Sequence, residues 1–164
     1  MYTRNLLWLV SLVSAAPLYA ADVPANTPLA PQQVFRYNNH SDPGTLDPQK
    51  VEENTAAQIV LDLFEGLVWM DGEGQVQPAQ AECWEILDGG KRYIFHLRSG
   101  LQWSDGQPLT AEDFVLGWQR AVDPKTASPF AGYLAQAHIN NAAAIVAGKA
   151  DVTSLGVKAT DDRM

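Results

Sequence analysis

The 164-residue sequence predicts a mixed α/β (α+β) fold, and three observations carry that expectation. Residues 34–38, 84–87 and 93–97 alternate with a period of two, as strands buried on one face do. Residues 53–67 and 110–122 instead repeat their apolar side chains at helical spacing. Between the second and third alternating segments lies Asp88-Gly89-Gly90, a two-glycine turn of the kind that closes β-hairpins. With 46% hydrophobic and 18% charged residues, the chain is long enough and apolar enough to bury a core.

Taken in order, residues 1–20 read as a secretory signal peptide. Arg4 is their only charge, the apolar run Leu6–Val13 follows, and Ser14-Ala15-Ala16 and Leu18-Tyr19-Ala20 supply small residues before a cut after Ala20. Pro17 interrupts the run well short of the ~18 apolar residues that a membrane-spanning helix needs. A cut after Ala20 leaves 10 basic against 19 acidic residues and changes the net charge from −8 to −9. No cysteine follows the run to carry a lipid anchor, so a soluble periplasmic protein without membrane insertion is expected. Residues 21–32, with Pro24, Pro28 and Pro31, read as an extended arm.

Residues 34–38 are expected to form a strand that buries Phe35 and Tyr37, ended by a turn at 40–44. In the helix over 53–67, Ile59, Val60, Leu63, Phe64 and Leu67 surround a wide apolar face opposite Gln58, Asp62 and Glu65. Asn54 or Thr55 is its expected N-cap, and Gly66 its end. Residues 68–70 and 76–78 flank Asp71-Gly72-Glu73-Gly74 as a short hairpin. The second hairpin follows, and Ser104-Asp105-Gly106 then turns the chain toward Thr110-Ala111-Glu112-Asp113, a helix start with an acid at the third helical position. Phe114, Val115, Trp118, Ala121 and Val122 form a core-facing stripe, stopped by Asp123-Pro124. Residues 126–137 and 139–147 predict two further short helices, and residues 157–160 the start of a strand. That start has no later segment to pair with, and so implies a truncated chain.

Much chemistry is excluded. An acidic chain lacks the clustered Lys and Arg that phosphate backbones require, so no nucleic-acid partner is expected. His40, His96 and His138 are too far apart for a local metal motif, and there is no phosphate-binding glycine loop or nucleophile elbow. Glu52 and Glu53 are adjacent, and adjacent carboxylates point apart rather than share a proton. Cys83, the single cysteine, cannot form an internal disulfide and reads as a small side chain beside Trp84. Neither an enzyme nor a cofactor is expected.

The region around the second hairpin carries a more specific signal. Tyr93-x-Phe95-x-Leu97-Arg98-x-Gly100, Trp103-Ser104-Asp105-Gly106-x-Pro108 and Thr110-Ala111-x-Asp113-Phe114 resemble the signature of the extracytoplasmic solute-binding proteins (bacterial family 5) of oligopeptide and dipeptide ABC importers. Leu46-Asp47-Pro48, Asp62-Leu63-Phe64-Glu65-Gly66-Leu67, Trp118-Gln119-Arg120 and Asp123-Pro124-x-Thr126-Ala127-Ser128-Pro129 extend the resemblance, which is strongest to the periplasmic oligopeptide-binding branch. It implies a two-lobed protein that closes over its ligand, of which this chain is an N-terminal fragment. Residues 33–64 would belong to the first ligand-binding lobe and 65–164 to an accessory domain. It also implies a monomer that captures oligopeptides or similar small ligands and delivers them to an inner-membrane ABC permease.

Site residues follow from the same resemblance. Val51, Glu52, Glu53 and Asn54 occupy the segment that pairs with the backbone of an extended peptide. Phe130 occupies the position of a ligand-contacting tyrosine. Phe130 lacks that hydroxyl, and Glu53 and Asn54 replace a glycine and a small apolar residue, departures that favour a more amphipathic or hydrophobic ligand. The alternatives are therefore the same transport role with a non-peptide amphipathic ligand, a periplasmic chaperone or interaction module, or a fragment that binds nothing alone.

Overall fold

The computed structural model describes residues 27–28, 31–32 and 34–164. The expected signal peptide lies outside the described residues, as does most of the proline-rich arm. The chain divides into two compact units, residues 1–38 and residues 39–164.

In the first unit, Phe35 and Tyr37 stack with ring centroids 6.1 Å apart. The strand expected over residues 34–38 does not form. Val34, Phe35 and Tyr37 are all exposed, Phe35 to 88%, so the aromatic face is not buried either. Alternation supplies side chains for one face of a sheet, but a strand also needs a neighbour for its N–H and C=O groups. No strand among the described residues pairs with this one.

The second unit runs α1 (Asn54–Leu63), β1 (Val68–Met70), β2 (Val76–Pro78), β3 (Ala81–Leu87), β4 (Arg92–Leu97), α2 (Ala111–Val122), α3 (Ala131–Gln136), α4 (Ala142–Val146) and a 3-10 turn, Val152–Ser154. Helices and strands mix as expected. β1–β2 and β3–β4 are separate antiparallel hairpins, the second interrupted by a register shift between Ala81 and Cys83. Asp88, Gly89 and Gly90 all take positive φ in the tight turn, which glycine enters at no steric cost. At the first turn, Asp71 Oδ1 accepts from the amides of Glu73 and Gln75 at 3.0 and 2.8 Å, and Gln77 Nε2 donates to Oδ2 at 2.7 Å. These donors, the Gln75 amide foremost, hold the Asp71 carboxyl below its ordinary range. Backbone bonds from Ala79 and Ala81 to Leu67 O, and from Arg98 to Gln80 O, fasten the hairpins together.

α2 begins as its sequence implies. The Thr110 amide donates to Asp113 Oδ2 at 2.7 Å in a capping box, and Asp123 ends the helix in extended conformation. Val115 and Val122 are buried. Val122, Ala142, Ile145 and Leu155 form the main core, with Trp118, Leu134, Ala135, Ile139 and Val157 against it. Close approach tightens this region. The Gly156 amide donates to Asn140 O at 2.8 Å, and a Cβ on Gly156 would lie 2.5 Å from that of Asn140.

Five further expectations are corrected. α1 ends at Leu63 rather than Leu67, and its N-cap is Glu53 rather than Asn54 or Thr55. Its apolar face is packed less than expected: Ile59, Val60 and Leu67 are half-buried, while Leu63 and Phe64 are 60% and 44% exposed. Periodicity reports which face could be buried and says nothing of a partner to bury it. The two C-terminal helices are shorter than expected, because Ala127, His138 and Asn141 take positive φ and break the helical path. Residues 157–160 form no strand. Residues 162 and 163 instead give their carbonyls to the amides of Ala111 and Leu97 at 2.9 and 2.8 Å, and the Arg163 guanidinium donates to Leu97 O. Within residues 157–160 the Val157 amide donates to Leu155 O and the Thr160 amide to Met164 O, both local turns rather than strand pairing.

Candidate functional site

One structural joint precedes the first of the two stretches expected to touch ligand. Asp47-Pro48-Gln49 is that joint. Asp47 starts a turn in which its carbonyl accepts from the amides of Lys50 and Val51, and its Oδ1 from the amide of Gln49 at 3.1 Å. The Asp47 carboxylate meets Arg120, near the end of α2, in a two-pronged pair at 2.9 and 2.6 Å. Arg120 Nη1 also donates to Gln49 Oε1 at 2.7 Å, and Gln49 Nε2 to the Gly117 carbonyl at 2.5 Å. The Arg120 hydrogen bond holds the Asp47 carboxyl at a pKa of about 2, and the same contact raises Arg120.

This joint sets the direction of the segment that follows. Val51 is 5% exposed, so its side chain is part of the packing and only its backbone can face a ligand. Glu52 is exposed, and among the described residues its backbone makes no hydrogen bond to another backbone group. Glu53 has extended backbone, φ −85° and ψ 137°, and its carboxylate turns back to accept from the Gly44 amide at 3.3 Å. It gives α1 no side-chain cap. Asn54, the first residue of α1, is exposed.

Phe130 stands at the start of α3. Its amide donates to Ser128 Oγ at 3.2 Å, and its carbonyl accepts from the Tyr133 amide at 2.9 Å. The ring is half-buried and meets that of Tyr133 at a centroid distance of 6.1 Å and an angle of 39°.

Between the joint and α2 opens a shallow cavity of about 390 Å³, with Pro48, Gln49, Phe114, Trp118 and Leu134 in its walls. Gln49 lies two residues before Val51 and Leu134 four after Phe130. None of the five predicted residues lines this depression. A second hollow of about 360 Å³ lies among Phe64, Gln80, Trp103 and Leu109. Sequence reasoning missed the Asp47–Arg120–Gln49 joint. Asp47 and Arg120 belong to separate motifs, 73 positions apart, and no local pattern joins them.

The arrangement offers extended backbone, apolar walls and amide groups. Among the described residues, no group of three or more His, Cys, Asp and Glu side chains is placed to hold a metal ion. Such a surface could serve as a wall against a ligand.

Comparison with known proteins gives this wall a context. The chain is 99% identical over 163 residues to a probable deoxycholate-binding periplasmic protein, YgiS, of Escherichia coli K12, covering 99% of this chain and 30% of that protein. It is 50% identical over 154 residues to the periplasmic oligopeptide-binding protein OppA of Salmonella typhimurium LT2, covering 94% and 28% respectively. The structure of Haemophilus influenzae OppA in complex with the peptide RPPGFSPFR superposes with a TM-score of 0.73 at 45% identity, over 77% of this chain and 25% of that one. The chain thus spans less than a third of the length of these relatives, and corresponds to the N-terminal part of two-lobed binding proteins. Their names agree with the periplasmic location expected from the N-terminal segment. Family 5 solute-binding proteins are binding proteins rather than enzymes. Residues 75–163 match the family described as bacterial extracellular solute-binding proteins, family 5 Middle, and the chain belongs to that family.

Proposed function

We propose that the chain forms part of the periplasmic solute-binding component of an ABC importer, which captures oligopeptides or similar small ligands and hands them to an inner-membrane permease. The family match over residues 75–163 carries this reading, and the likeness to peptide-bound OppA supports the choice of ligand. The role is capture without catalysis or cofactor. The protein acts as a monomer and, at a net charge of −8, has no nucleic-acid partner. In this reading residues 33–64 belong to the first ligand-binding lobe and 65–164 to the accessory domain.

Val51, Glu52, Glu53 and Asn54 supply backbone pairing to an extended peptide, a mode indifferent to its side chains. The extended conformation at Glu53 and the backbone groups of Glu52, which pair with no other backbone group among the described residues, support that role. Phe130 supplies an apolar wall.

A second reading keeps the transport role and replaces peptide by a rigid amphipathic molecule. Phe130, in place of the tyrosine that the family resemblance implies, favours it, and so does the relative named for deoxycholate. Thermal unfolding of the full-length protein separates the two. A ligand at a hundred times its Kd stabilises by about 2.7 kcal/mol, several degrees in Tm. A rise with tri- to nonapeptides supports the first reading, and a rise with deoxycholate alone the second. If neither class moves Tm, both are wrong.

A further inference from the structure

We infer that Tyr133 is a specificity-determining residue that works with Phe130: its phenol hydroxyl hydrogen-bonds the polar edge of an amphipathic ligand whose flat apolar face rests on the Phe130 ring. This rests on the assignment of Phe130 as a ligand wall.

The argument starts from how α3 is held. Leu134 and Ala135 pack against the core of Val122, Ala142, Ile145 and Leu155, which fixes the roll of the helix. Tyr133, the residue before them, is consequently turned outward and is 66% exposed. The turn is pinned at both ends, by Ser128 Oγ on the Phe130 amide at 3.2 Å and by the Tyr133 carbonyl on the Ala137 amide at 2.8 Å. Two aromatic rings one turn apart are thereby held at a centroid distance of 6.1 Å, and their 39° tilt makes them an open angle rather than a closed stack. Among the described residues no hydrogen bond engages the Tyr133 hydroxyl.

The two rings are chemically unequal. Phe130 is half-buried and wholly apolar, whereas Tyr133 carries a donor and acceptor at the rim. The pair thus offers an apolar floor with one polar point beside it. An extended peptide satisfies its own polar groups through backbone pairing elsewhere on the wall and gains little from a single phenol. A rigid molecule with an apolar face and a hydroxyl or carboxylate at its edge, of the bile-salt class, uses both parts at once.

The test uses the full-length Escherichia coli protein that shares this sequence at 99% identity. Calorimetric titration with sodium deoxycholate and with the nonapeptide RPPGFSPFR compares wild type, Tyr133→Phe and Phe130→Ala. Tyr133→Phe keeps the ring and its packing, and unfolding of the unliganded variants checks that the fold is retained. One hydrogen bond sets the scale, so Tyr133→Phe is expected to weaken deoxycholate binding roughly three- to tenfold and to leave peptide binding as in wild type. Unchanged deoxycholate affinity in Tyr133→Phe, with a loss in Phe130→Ala, overturns the role of Tyr133 alone. Equal weakening of both ligands marks a structural role and overturns it too. If Phe130→Ala changes neither affinity, the assignment of Phe130 fails and this inference falls with it. Failure of wild type to bind deoxycholate has the same consequence for the inference.

Discussion

The helices after residue 110 and the single helix before the hairpins have similar amphipathic patterns and opposite fates. In α2, α3 and α4 the apolar stripe closes on itself: Val122, Ala142 and Ile145 are wholly buried, and Leu155 and Gly156 from the following turn seal the cluster. In α1 the stripe is only partly covered, with Ile59 and Val60 half-buried. Ala56 is buried, whereas Leu61, Leu63 and Phe64 remain open, as do Trp69 and Met70 in the neighbouring β1. An apolar period is therefore necessary for a core and insufficient for one. What distinguishes the two regions is the presence, within the same ~45 residues, of other apolar faces able to approach at helix-packing distance.

The largest expected effect tests the self-sufficient half. Ile145 is fully buried among Val122, Ala142 and Leu155. Ile145→Ala removes that side chain from a packed interior and leaves a cavity, with an expected loss of about 3 kcal/mol in urea unfolding. That is a large share of the stability of any small domain. A loss under about 1 kcal/mol would mean that this cluster does not hold the chain together.

How far the sequence could be read follows the same division. Both hairpins and the start of α2 were legible because their determinants are local: Asp88-Gly89-Gly90 dictates a tight turn, and Thr110 with Asp113 a capped helix. The strand over residues 34–38 and the packed face of α1 were misjudged because each depends on a partner that no local pattern names. The candidate site residues rest on family resemblance alone. Val51 and Glu53 show why residue chemistry alone falls short there, the one being buried and the other folded back onto the Gly44 amide. The Asp47–Arg120 pair illustrates the limit most clearly: both residues were in view, and only folding brings them within 2.6 Å.

That pair joins the segment before α1 to the helical core, and its removal is expected to have an intermediate effect. The Asp47 carboxyl lies at a pKa of about 2 in the folded chain against an ordinary value of 3.8, chiefly through the Arg120 hydrogen bond. A depressed carboxylate pKa stabilises the fold above the ordinary value, and the contribution disappears as pH falls through the folded one. Arg120 is about half exposed, so screening keeps the contribution to about 1 kcal/mol. Asp47→Asn is accordingly expected to lower stability by about that amount at pH 7. The gap to wild type should narrow between about pH 4 and pH 2. A gap that is constant over that range would assign the loss to the turn that Asp47 also caps at Gln49, rather than to the ion pair.

The smallest effect is expected on α1, and for that reason it bears most directly on the contrast between the regions. Leu61 is 72% exposed, so Leu61→Ser removes little apolar area from the interior. Exposed substitutions away from special features stay within about 0.5 kcal/mol, and the serine's lower helix propensity accounts for part of that. The expected outcome for the 164-residue chain is thus a nearly unchanged urea midpoint, independent of protein concentration. A loss above about 1 kcal/mol that grows with concentration would show the α1 face buried against a second copy. The same loss without concentration dependence would place a cover within the chain itself. Either result would make α1 resemble α2, and the distinction would then lie in where the partner comes from rather than in whether one exists.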